Sequence, residues 1–62
     1  MIIKEFDKVL LKSGKTAYIA DVIIADVAYV VDIDKSDGSI ETEIIEYNDI
    51  ERVVADDYSV QS

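Results

Sequence analysis

The chain contains no cysteine and no histidine. Disulfide staples, thiolate or imidazole metal sites and the Ser-His and Cys-His nucleophile pairs are thereby excluded, and most hydrolytic chemistry goes with them. Tryptophan is also absent and phenylalanine occurs once. Grooves that grip Pro-rich peptides are lined with aromatics, so that mode of recognition is disfavoured. No stretch approaches the roughly 18 uninterrupted apolar residues of a membrane span. The opening MIIKEFDKV carries acids early and lacks an apolar stretch of signal-peptide length, so the expectation is a soluble, cytoplasmic protein. Positive charge is scarce: six lysines and arginines stand against fourteen acids, for a net charge of −8. Residues 1–16 hold Lys4, Lys8, Lys12 and Lys15 against Glu5 and Asp7, whereas residues 17–62 hold only Lys35 and Arg52 against all the remaining acids. A surface of that sign repels phosphate, so neither nucleic acid nor an anionic membrane is an expected partner. Its plainest use is solubility, and its sharper use an electrostatic match to a basic protein.

What is present is β-forming power. Half of the 62 residues are apolar, enough for one small core at most. The run KTAYIADVIIADVAYVVDID, residues 15–34, is crowded with β-branched and aromatic side chains and reads as a hairpin of two long strands. An isolated hairpin is marginal in water, so the flanking segments must supply further strands. Residues 7–12 place Val9 and Leu11 inward, with Phe6 as a plug at one end of the core. Ser13-Gly14 turns the chain, glycine relieving a positive φ. In the second strand, residues 15–24, Ile19 and Val22 lie three apart on the core side, which requires a β-bulge. Ala25-Asp26 reverses the chain into a third strand, residues 27–34, with Tyr29, Val31 and Ile33 on one face and Val30, Asp32 and Asp34 on the other. Lys35-Ser36-Asp37-Gly38 is a turn. A fourth strand, residues 39–47, contains adjacent Ile44 and Ile45, of which only one points inward. Asn48 caps a single helical turn that drops Ile50 onto the core, and Arg52-Val53-Val54 is a short fifth strand. This describes an all-β fold, a small five-stranded SH3-like barrel with a 3-10 turn before the last strand. Its boundaries are a lead-in at 1–5, the barrel at 6–55 and a polar tail at 56–62 anchored by Tyr58 and Val60.

The order of these signals resembles the small bacterial SH3-like family named domain of unknown function 4926. The matching residues are Phe6-Asp7-Lys8-Val9 with Leu11-Lys12, Gly14, Ile19 and Val22, then Ala28-Tyr29, Val31, Ile33, Asp37-Gly38, Asn48-Asp49-Ile50-Glu51 and Val53. The resemblance implies the barrel fold, no catalytic residues, and a small acidic protein of antitoxin-like character. Two departures stand out. Ala17 occupies a position where the family tends to have glycine, and the hairpin tip, polar in the family, here reads Ile23-Ile24-Ala25-Asp26-Val27. An exposed tip of that kind is a liability unless something covers it.

The acids around Asp37-Gly38 fail the register of a calcium loop, because setting Gly38 at position 6 puts Ile33 and Lys35 where acids belong. An ordinary hairpin turn is expected there. Paired carboxylates are common in the chain, but a domain this small is expected to lack a concave pocket, so no enzyme activity, cofactor, metal or small-molecule substrate is anticipated. Asp32, Asp34, Glu41, Glu43 and Glu46 instead read as one acidic face. Tyr29 is expected in the core, Tyr47 at the rim and Tyr18 exposed on the face opposite Ile19. Ten inward side chains fill such a core: Val9, Leu11, Ile19, Val22, Tyr29, Val31, Ile33, Ile45, Ile50 and Val53. Leu10, Ile23, Ile24, Val27, Val30 and Val54 are left over. The resulting expectation is a non-enzymatic acidic protein-binding module, an antitoxin or immunity-type inhibitor, whose interface comprises Tyr18, Ile23, Ile24, Val27, Val30, Asp32, Asp34, Glu41 and Glu43. The alternative is a homodimeric or other homo-oligomeric accessory barrel.

Overall fold

Five strands run in one antiparallel sheet in a computed structural model that describes residues 1–54. They are β1 (Lys8–Leu11), β2 (Thr16–Ile24), β3 (Ala28–Asp34), β4 (Ile40–Glu46) and β5 (Ile50–Val54), with a 3-10 turn at Tyr47–Asp49. Their order across the sheet is β4-β3-β2-β1-β5. The two terminal strands of that order are not hydrogen-bonded to each other, so the sheet is open and does not close into the expected barrel. Among the described residues no helix is long and apolar enough to cross a membrane. Tyr58 and Val60 lie outside the described residues.

The sheet nevertheless curls hard, and its connectivity explains why. β4 and β5 sit at opposite ends of the sheet yet are joined by three residues. The Tyr47 N–H donates to Val27 C=O, beyond one end of β2, and the Lys12 N–H donates to Asp49 C=O, before its other end, both at 2.9 Å. A straight strand of β2's length would hold those two loops about 26 Å apart. Only a sharp bend in β2 lets so short a link bridge them. Two bulges supply the bend: the register with β3 slips between Ile19 and Asp21, leaving Ala20 extra, and again between Val22 and Ile24. The first is the bulge that the Ile19 and Val22 spacing predicts.

Inside the curl lie Val9, Ile19, Tyr29 and Val31, all fully buried, with Leu11, Ile33, Ile45 and Ile50 around them. β3 alternates as its sequence predicts. Val22 and Val53 pack against the core without being enclosed, while Ile3 and Ala17, not anticipated inside, are buried. The Tyr29 hydroxyl accepts a hydrogen bond from the Asp26 N–H at 3.0 Å, which ties the β2–β3 turn to the core. Asp26 itself has φ 64, a left-handed conformation that aspartate tolerates better than most side chains. Gly14, at φ 94, supplies the positive φ expected in the β1–β2 turn.

Phe6 is the largest correction. It is no plug: 77% of it is exposed, at φ 72. The Phe6 N–H donates to Ile19 C=O at 2.7 Å and the Ile19 N–H to Asp7 C=O at 2.9 Å, so two residues oppose one. That bulge turns the phenyl ring outward and lets Ile3, from the supposed lead-in, take the inner position. The 3-10 turn also begins earlier than expected. Its cap is not Asn48; the Glu46 N–H donates to the Asp49 carboxylate at 2.9 Å.

Candidate functional site: the hairpin tip, the outer face and the β4 edge

Directly opposed residues of neighbouring antiparallel strands share a face, so the register assigns each candidate a side. On the outer face, Thr42, Asp32, Tyr18, Lys8 and Val54 form one row across all five strands. The Thr42 hydroxyl donates to Asp32 Oδ1 at 2.7 Å, and Lys8 Nζ stands 5.8 Å from the centroid of the exposed Tyr18 ring. A cation at that distance is attracted by the ring face. Nearer the tip, Ile24 lies opposite Ala28, and Val30 lies between Asp21 and Ile44. Ile23, Ile24 and Val27 are each about half exposed or more, as their surplus in the sequence predicts, and Val27 belongs to the turn. Leu10, Val30 and Val54, counted as spare, are half-buried.

The single acidic face does not form. Asp32 and Asp34 pair with Thr42 and Ile40 on the outer face, whereas Glu41 and Glu43 pair with buried Ile33 and Val31. The two glutamates therefore point to the inner side. They remain exposed because β4 is the last strand of the sheet and nothing among the described residues covers them. The same register resolves the Ile44 and Ile45 ambiguity: Ile45 faces Tyr29 in the core and Ile44 is 70% exposed. Ile40 and Ile44, absent from the sequence-based interface, are the most exposed apolar side chains of the five strands. Strict alternation counted back from an inward Ile45 would have found both.

Between β4 and the β1–β2 turn a groove of about 370 Å³ opens. The sequence reading expects no such concavity; it exists because the sheet curls without closing. Leu11, Ile33 and Ile45 form its floor, Lys12, Ser13 and Lys15 one wall, and Glu43, Ile44 and Asp49 the other. Among the described residues no cluster of three or more acids is placed to hold a metal ion. Asp37, in the β3–β4 turn, accepts hydrogen bonds from the Ser39 hydroxyl at 2.6 Å and the Ser39 N–H at 2.9 Å. Those two donors hold its carboxyl below the usual aspartate range.

Comparison with protein-family models, with curated proteins and with solved structures returns no match to this chain. The geometry places exposed apolar side chains beside carboxylates on an open sheet.

Proposed function

We propose that the chain is a non-enzymatic, acidic protein-binding module that acts in the cytoplasm on a basic partner protein, in the manner of an antitoxin or immunity-type inhibitor. The observation that carries this reading is the tip: Ile23, Ile24 and Val27 stand exposed on a chain of net charge −8. Scattered single apolar residues are ordinary, but a contiguous set bordered by carboxylates is the pattern of a binding surface. Charge of one sign then speeds encounter with a partner of the other. Membership of the family named domain of unknown function 4926, and with it an SH3-like fold whose barrel is left open between β4 and β5, belongs to the same proposal. It is supported by five strands, a 3-10 turn before the last, and the short link that curls the sheet.

A second reading, a homo-oligomeric accessory barrel, is favoured by one observation: Ile24 and Ile44 share the outer face, where another copy would cover both. Repulsion between two chains of −8 works against it. Recovery of the tagged protein from its source cells at low and high salt separates the two. The first reading expects a basic protein in fixed ratio, released by salt and lost with Ile24→Asp. A chain recovered without a partner, whether as a monomer or as a salt-resistant homo-oligomer by light scattering, would overturn it.

A further inference from the structure

The β3–β4 ladder shows which backbone groups face outward. At its two ends the Lys35 N–H donates to Ser39 C=O and the Tyr47 N–H to Val27 C=O, both at 2.9 Å. The unbroken register between them makes these the outermost of a series in which hydrogen-bonded pairs alternate with non-bonded ones. Glu41, Glu43 and Ile45 therefore spend their N–H and C=O groups on β3. Those of Ile40, Thr42 and Ile44 point away from it, along an edge with no neighbouring strand among the described residues. The next donor in that outward row, the Glu46 N–H, is taken by Asp49 at 2.9 Å, which ends the open stretch. The edge lacks the proline or bulge that commonly blunts such strands, and its inward-pointing glutamates are what guards it.

We propose that β4 is completed by a strand of the partner protein, laid antiparallel along this edge and carrying basic side chains at two alternate positions. This rests on the protein-binding reading above and gives it a mode. An added strand lies about 4.8 Å outside β4, and Glu43, Ile44 and Ile45 of β4 also line the groove. Its inner side chains meet Ile45, Glu43 and Glu41, and its outer ones Ile44, Thr42 and Ile40. The matching segment thus reads apolar, apolar, basic, polar, basic, apolar. Lys12 and Lys15 on the far wall confine the basic residues to the two positions beside the glutamates. Charge removes the other occupants. A second β4 would set acids against acids, which destabilises a sheet, and this chain's own residues 55–62 bring Asp56 and Asp57 with no base.

The test uses the full chain, labelled with 15N, and a blocked peptide containing Val-Val-Lys-Thr-Lys-Val. At about ten times its Kd the peptide is expected to slow amide exchange roughly tenfold at Ile40, Thr42 and Ile44, with no added protection at Glu41, Glu43 and Ile45. Glutamate in place of both peptide lysines is expected to abolish binding, and Glu43→Lys to weaken the lysine peptide and admit the glutamate one. Thr42→Pro keeps the ladder, since that N–H does not bond to β3, and is expected to abolish binding. No binding of the lysine peptide, binding without protection of those three amides, or binding unaffected by Thr42→Pro would overturn strand addition. None of these touches the wider reading, which the recovery experiment decides. Protection of the same amides in the peptide-free chain that rises with its own concentration would also overturn the proposal, by naming a second copy as the occupant.

Discussion

Replacing Phe6 by glycine reverses sign depending on whether the ring is core or surface. Were Phe6 a plug, truncation would cost about 3 to 5 kcal/mol, comparable to everything a domain of this size has, roughly 3 to 9 kcal/mol. The structure gives a different sum. At φ 72 a side chain with a Cβ stores about 1 to 2 kcal/mol that glycine does not. Against that, glycine loses about 0.5 to 1 kcal/mol of backbone entropy. With 77% of the residue exposed, the packing lost is about 0.5 kcal/mol. Phe6→Gly is therefore expected to fall between a loss of about 0.5 and a gain of about 1 kcal/mol, shifting Tm by between about −4 and +8 °C. Urea unfolding followed by circular dichroism reads this directly, with the m-value expected to stay constant. A loss above about 2 kcal/mol would refute the placement of Phe6 and with it the Phe6–Ile19 bulge.

Ile24→Asp is expected to change stability by only about 0.5 kcal/mol, because Ile24 is 56% exposed, while abolishing partner recovery; thermal melts check the first half. Tyr29→Phe is expected to cost about 1 kcal/mol, since the Asp26 N–H loses its acceptor while the buried ring is kept; denaturant midpoints measure it. Asp37 is expected to titrate below an ordinary aspartate by carboxyl NMR, and Ser39→Ala to move it back up. Because the folded-state value is depressed, the stabilisation from this turn is present above the unfolded-state pKa and disappears as pH falls through the folded one.

The parts of this fold that could be read from sequence are those written in side-chain periodicity. β3 alternates cleanly, so Tyr29, Val31 and Ile33 sit where period two puts them. The three-residue spacing of Ile19 and Val22 shows the bulge because no unbroken strand has both facing inward. Backbone conformation is another matter. Nothing about phenylalanine announces a left-handed φ, since the residue disfavours it, and so hydrophobicity alone points to Phe6 for the inner position that Ile3 takes. The tip was legible as surplus apolar residues. The faces of Glu41 and Glu43 follow from an inward Ile45 by period two, but that β4 is an edge does not, because strand order is set by pairings distant in sequence. The groove depends on whether a curled sheet closes, a property of strand geometry that no local pattern encodes.

The pairing of β1 with β5 carries a kinetic consequence. The three hairpins from β1 to β4 close through loops of three to five residues, a process of microseconds. Val9, in contrast, must wait for Val53, forty-four residues later. At the pace of a ribosome that delay is roughly 2 to 9 s, during which the far side of Val9, Leu10 and Leu11 has no strand beside it. The interval in which this protein is most prone to clump is thus set by translation speed, and slowing synthesis across residues 40–50 would lengthen it.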